Sequence, residues 1–372
     1  MKFTIEKNVL LENLNNVTKA ISVKNVIPVL NGIKFELNDD GLYLTASDTD
    51  LTIKSFIKKD KIKNINSNGS IVIQSKYINE IIRKLPDDII DIEVIDGLKV
   101  QIKSKNSKFN LNCLKVEDYP QIKLDYQKDP IIVNGNLFKT IIKQTVFAIS
   151  TQESRPLLTG INFKLQGNIM EITSTDSYRL AKKTITLKEF VKDEINITIP
   201  GSNISELDKI IVDDEPVEMH IFSNKALFIY KNITFQTNLL SGTYPNTNNL
   251  IPDNFAIIFN TNYNDFYSAV DRASLLTQNK EKNIVKMETK KNELTISSFA
   301  SEIGRVEETI DIEKNESQNL GISFSAKYMM DALKTFDDTE IVVLLNSEIK
   351  PIVIKSAKDE TLIQLILPIK TY

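Results

Sequence analysis

The chain has 372 residues, of which 41% are hydrophobic and 26% charged, with a formal net charge of −3. That balance supports buried cores and excludes a disordered or collagen-like chain, and the length predicts two or three domains. No apolar run reaches the roughly 20 residues that span a bilayer, the first residues lack a signal-peptide core, and the single cysteine, Cys113, excludes an internal disulfide, so a cytoplasmic protein is expected.

A pI near 5.6 argues against a uniformly basic nucleic-acid binder. The arginines are Arg83, Arg155, Arg179, Arg272 and Arg305, too few to supply many bidentate forks to bases, so sequence-specific readout is not expected.

In chain order, the first predicted helix is VLLENLNNVTKAIS at residues 9–22, with Leu10, Leu14 and Val17 on one stripe. GIKFELNDDGLYLTASD follows as two period-2 strands joined by an Asn-Asp turn. At residues 73–85, IQSKYINEIIRKL reads as a strand end at Ile73 entering a helix that aligns Ile78, Ile81, Ile82 and Leu85. LKVQIKSKNSKFNLNCL then predicts a hairpin about Lys-Asn.

The series restarts with LFKTIIKQTVFAIS at 137–150, where Phe138 and Ile142 repeat the first stripe and Thr145 interrupts it. GINFKLQGNIMEITSTD predicts two strands about a Gly-Asn turn, and IPGSNISELDKII at 199–211 repeats the strand-into-helix pattern through Ile199, Ile204, Leu207, Ile210 and Ile211. A third series holds DFYSAVDRASLLT at 265–277, with Phe266, Val270 and Ala273, and FSAKYMMDALKTF at 324–336, with Phe324, Met329, Ala332, Leu333 and Phe336.

The strand-into-helix motif therefore begins at residues 73, 199 and 324, a nearly constant spacing close to one third of the chain. A period this long exceeds a solenoid unit, so each copy predicts a whole domain, at residues 1–128, 129–254 and 255–372. The joints fall near YQKDPI and IPDNFA, where turn residues and proline interrupt the pattern. Each domain is expected to be α+β, an antiparallel sheet plus two helices. The predicted helices together are net positive and the remainder net negative, so a polyanion would be held on the helical face, and helices turned inward would line a channel.

Enzyme motifs such as G-x-x-x-x-G-K-[ST], H-E-x-x-H and G-x-S-x-G do not occur. His220 in VEMHIF reads as a strand residue, and Cys113 as a small buried apolar one. Asp48 and Asp50 in TASDTDL and Asp176 in TSTDSYRL occupy equivalent strand ends, with Ser298 at the matching place in the third repeat. Turn-forming aspartate is the expected role, and a metal-dependent hydrolase using Asp48 and Asp176 is the competing reading. No cofactor is expected.

Together, MKFTIEKNVL, PVLNGIKFEL, TSTDSYRLA, SGTYP, DRASLL and LILPIKTY resemble the bacterial DNA polymerase III beta subunit family, the DNA sliding clamps, across essentially the full chain. The resemblance implies three DNA-clamp domains per chain and a ring of two chains joined head to tail, helices inside and sheets outside. It also implies a non-catalytic processivity factor that encircles duplex DNA without sequence specificity. Its implied partners are duplex DNA, the replicative polymerase catalytic subunit, the clamp loader, other clamp-binding replication and repair proteins and a second copy of the chain, with no membrane.

Residue by residue, the resemblance implies DNA contacts at Lys24, Lys76, Gln152, Pro156 and Leu157. Lys327 is the third-repeat equivalent of Lys76, while the second repeat has Ser202 there. A cleft for a short, partly apolar partner peptide is implied at Leu158, Thr175, Ser177, Tyr178, Arg179 and Leu180, with Pro245, Asn249 and Leu250. Pro351, Leu365, Leu367, Pro368 and Ile369 complete it. Leu180, Leu250, Leu365 and Leu367 are expected to form its apolar pocket, and Arg179 and Thr175 to orient the peptide. The implied dimer contact places Leu275 and Leu276 of one subunit against Tyr77, Phe109 and Leu111 of the other, with SKFNLNCL and RVEETIDI pairing edge to edge.

Overall fold

The computed structural model describes residues 1–22, 25–126, 129–277, 283–315 and 318–370. Six α-helices lie among them: α1 (Lys7–Val17), α2 (Ser75–Lys84), α3 (Gly135–Thr145), α4 (Gly201–Asp208), α5 (Tyr263–Ser274) and α6 (Ala326–Leu333). They fall on the six predicted segments. The strands form sheets of five, eight, seven and four members. Every strand ladder among the described residues is antiparallel, as the α+β reading requires.

The chain divides into two compact units, Met1–Phe138 with Ser205–Leu239 and Lys139–Ile204 with Leu240–Tyr372. Two of the three cuts fall inside helices of the central repeat, in α3 and α4, and the third follows strand Ile233–Asn238, so each unit holds part of residues 129–254.

The first unit contains the five- and eight-stranded sheets. Leu10, Leu14 and Val17 of α1 are buried, as are Ile78 and Ile82 of α2, because the apolar stripe of each helix is the face turned to the core. Asn13 is buried on that same face. Its side-chain oxygen accepts from Ser55 Oγ at 2.5 Å and from Asn232 Nδ2 at 2.8 Å, and its amide donates to the Val9 carbonyl at 2.7 Å. A buried amide persists because its groups are paired, and here the pairing also ties α1 to strand Leu51–Lys58. The Lys-Asn hairpin forms as expected between Lys99–Ser104 and Ser107–Asn112, with Lys105 at φ 46°.

The second unit contains the seven- and four-stranded sheets. Phe266, Val270 and Ala273 of α5 and Met329 and Leu333 of α6 join Phe259, Val285 and Phe324 of the strands in one core. Both helices start on side-chain caps: Asn262 accepts from the Asn264 and Asp265 N–H groups, and Ser325 from that of Tyr328. Thr145, the break in the apolar stripe, is fully buried and satisfied. Its hydroxyl donates to the Ile141 carbonyl at 2.7 Å, and its carbonyl accepts from Ser174 Oγ at 2.5 Å.

The segment GINFKLQGNIMEITSTD pairs in two halves that meet at the expected Gly-Asn position. Gly160–Thr175 pairs with the longer Arg179–Pro200 in two stretches, Gly160–Leu165 with residues 195–200 and Ile169–Thr175 with residues 180–186. Gly167, at φ 64°, sits where the register shifts. The register slips by five residues there, Leu165 standing opposite Ile195 and Ile169 opposite Thr186, so the extra residues lie in the partner and the two halves form separate ladders.

Candidate functional site

The chain reverses at Asp176–Tyr178, and Asp176 builds the turn. Its Oδ1 accepts from the N–H groups of Tyr178 at 2.9 Å and Arg179 at 3.0 Å, while Ser177 takes φ 78°. Asp48 does the same in the first unit, accepting from Asp50 at 3.1 Å and Leu51 at 2.8 Å beside Thr49 at φ 84°. The two aspartates are thus repeated turn formers, the role expected of aspartate at this position. Ser298 is not their counterpart. Its hydroxyl donates to the Ala273 carbonyl at 2.6 Å as that of Ser174 does to Thr145, so it corresponds to Ser174.

The turn aims Arg179 into a cage. Nε donates to Asp176 Oδ2 at 3.0 Å and Nη1 to Asp331 Oδ2 at 2.8 Å, with the side chain only 11% exposed. The guanidinium carbon lies 4.6 Å from the centre of the Tyr328 ring and 5.2 Å from that of Phe147. Tyr328 also stacks on Tyr178, ring centres 6.4 Å apart and planes 25° from parallel. Burial, and then the negative charge of Asp176, pushes the Tyr328 phenol upward. Thr175 is buried, donates to the Arg179 carbonyl at 2.6 Å and accepts from the Ser177 N–H at 3.1 Å. Arg179 and Thr175 therefore shape the turn through their own hydrogen bonds.

Several contributors escape a reading of local sequence. Tyr328 and Asp331 stand three residues apart on one face of α6 and reach a turn 152 positions earlier. Tyr244, in SGTYP, is buried and accepts from the Thr175 N–H at 3.1 Å; burial raises its phenol well above the ordinary range. Arg155 Nη1 donates to Ser177 Oγ at 2.9 Å. The i, i+3 polar pair on α6 was the one available signal.

The chain end completes the surface. Strand Leu362–Ile366 pairs with Arg179–Pro200, placing Leu180 opposite Leu365, and beyond it Leu367 donates its N–H to the Tyr178 carbonyl at 2.8 Å. Leu180 and Leu365 are buried with Leu344 and Val353, and Ile251 and Phe255 pack against them. Leu250 and Leu367 are 46% and 36% exposed. The four leucines thus form two layers, a buried floor and an exposed rim, rather than one open pocket. Leu158 is buried, Pro245 and Asn249 are exposed, and Pro351, Pro368 and Ile369 are half-buried.

Among the expected DNA contacts, Lys76, Gln152, Pro156 and Lys327 are exposed and Leu157 is half-buried. Pro156 opens a tight 3-10 turn, Pro156–Thr159. Lys24 lies outside the described residues. In the first unit Tyr77 and Phe109 are exposed and Leu111 is half-buried; in the second, Leu275 is exposed and Leu276 half-buried. Ser107–Asn112 is an edge strand of the five-stranded sheet, and Gly304–Asp311 an edge strand of the four-stranded one.

Repeated antiparallel sheets with paired helices, whose aspartates shape turns, define a binding protein of the clamp class. The family models for the DNA polymerase III beta subunit match in order: the N-terminal domain at residues 1–123, the central domain at 132–246 and the C-terminal domain at 248–370. The chain belongs to this family, the beta sliding clamps, which are non-catalytic processivity subunits of the polymerase. It is 42% identical to the beta sliding clamp of Bacillus subtilis and 38% identical to that of Staphylococcus aureus, with both chains covered in full in each comparison. The crystal structure of the Bacillus subtilis clamp superposes with a TM-score of 0.97 at 41% identity, and the Streptococcus pneumoniae beta chain with 0.95 at 34%, again covering both chains fully. The hydrolase reading of Asp48 and Asp176 is thereby overturned.

Proposed function

We propose that two copies of this chain close head to tail around duplex DNA in the cytoplasm and tether the replicative polymerase and the clamp loader through the cleft beside Arg179. The observation that carries the closure is the charge on two of the edge strands, Ser107–Asn112 and Gly304–Asp311. Ser107–Asn112 lies beside Lys99–Ser104, which adds Lys99 and Lys103 to Lys108, whereas Gly304–Asp311 is net negative, with Glu307, Glu308 and Asp311 against Arg305. Edges of opposite charge suit pairing with each other and discourage pairing with themselves. Leu275 and Leu276 would supply the apolar contact with Tyr77, Phe109 and Leu111 of the other copy.

Domain limits at 1–128, 129–254 and 255–372 accord with the motif spacing. Lys24, Lys76 and Lys327, with Gln152, Pro156 and Leu157, would contact DNA as point charges and a loop, suiting non-specific grip. In the cleft, the rim of Leu250 and Leu367 would receive apolar peptide side chains over the Leu180–Leu365 floor, while Tyr178 and Pro245 border it. Tethering raises the polymerase's effective concentration at the primer end, so synthesis lengthens without any new chemical step. Primer extension on primed circular DNA, with polymerase and loader, tests this. Products per binding event lengthen when the chain is added; equal lengths with and without it contradict the reading.

A further inference from the structure

The outer face of the four-stranded sheet in the second unit carries a trough outside the proposed cleft. Register sets its floor: Lys286 stands opposite Ser323 on one side and Ser297 on the other, and Glu288 stands opposite Gly321. Because side chains alternate along a strand, Ile284, Lys286, Ser297 and Phe299 share this face. A β-carbon placed on Gly321 would come within 3.2 Å of Lys286 Cε and 3.3 Å of Glu288 Oε1. The Lys286 and Glu288 side chains therefore already lie close against Gly321, and a larger residue there would displace them across this face. A hollow of about 550 Å³ extends over Ile284, Ser297 and Phe299, and Phe299 is 67% exposed.

The trough is continuous with the tail assigned to the cleft, because Ile369 donates its N–H to the Ser323 carbonyl at 2.7 Å. Charge on the face is internally paired, Lys286 with Glu288 at 2.7 Å and Arg305 with Glu307. A charged ligand would gain little there. From the Ser323 strand to the Phe299 strand is two interstrand spacings, about 10 Å, which roughly three extended residues cross.

We infer that this trough seats the continuation of the partner chain beyond its cleft-bound peptide, as an extended, largely uncharged stretch whose large apolar side chain rests on Phe299 and Ile284. The inference builds on the cleft reading. Fluorescence anisotropy on the full chain tests it with three labelled peptides. One is the short clamp-binding segment of the replicative polymerase; the others are that segment lengthened by five residues at either end, with phenylalanine outermost. One lengthened peptide is expected to bind about tenfold more tightly than the short one, a gain of the size expected for one buried aromatic after ordering costs. Phe299→Ser, at an exposed site that leaves folding intact, and Gly321→Val should each remove that gain and leave the short peptide's affinity unchanged. No gain from either lengthened peptide, or a gain that survives both substitutions, overturns the trough and spares the cleft. Failure of the short peptide to bind the unaltered chain overturns both.

Discussion

The Arg179 guanidinium lies 4.6 Å from the centre of the Tyr328 ring while its Nη1 donates to Asp331 one turn further along the same helix. One helix face thus supplies both an aromatic lid and a counter-charge to a turn far away in sequence. A partly desolvated cation over an aromatic face contributes about 1–2 kcal/mol. Tyr328→Ala removes that contact and the stacking partner of Tyr178. Peptide affinity, by calorimetry, is expected to fall about tenfold, and stability by about 1–2 kcal/mol in urea titrations.

The two leucine layers separate stability from binding. Leu365 is buried beside Leu180, so Leu365→Ala should cost about 2–5 kcal/mol. Leu367→Ala, on the exposed rim, should change stability by under about 1 kcal/mol yet weaken the cleft peptide severalfold. Urea melts and peptide titrations on both variants check the contrast; equal stability losses would show that Leu367 belongs to the core.

Leu275 is 61% exposed at the end of α5. Leu275→Lys should leave the folded chain within about 0.5 kcal/mol of its original stability, while placing a charge at the centre of the proposed apolar contact. Sedimentation velocity is expected to show a monomer at concentrations where the unaltered chain is a dimer. Added salt should also weaken the unaltered dimer, since its edges carry opposite charge.

Burial pushes the Cys113 thiol up from 9.0 to about 11. The folded state therefore holds the proton more tightly than the unfolded state. The associated stability is fully present below about pH 9 and is lost as pH rises through about 11. Urea midpoints should decline across that window, less steeply in Cys113→Ala. Buried Tyr119, whose phenol is also raised by burial, adds a decline in the same direction that the variant retains.

The helices were legible because each carries an apolar stripe and the stripes recur with one period; Phe324, Met329 and Leu333 sit in the core where that pattern put them. The register slip opposite Gly167 was not, since its extra residues lie in the charged stretch 187–194 of the partner strand, which carries no alternating pattern to set a register. Asp176 was legible as a turn former, whereas its neighbours Tyr328 and Asp331 were not, because only the fold brings α6 to that turn. Thr145 illustrates the converse. It breaks the stripe in sequence, yet its hydroxyl closes on the preceding helical turn at 2.7 Å, so no apolar residue is required there.

The most direct test of the central claim is topological. The clamp is loaded onto nicked circular DNA, the circle is cut once, and the bound fraction is followed by gel filtration at salt high enough to screen direct contacts. A closed ring stays on the circle and leaves within minutes of linearisation through the free ends. Equal retention before and after cutting would contradict encirclement and point to direct attachment instead.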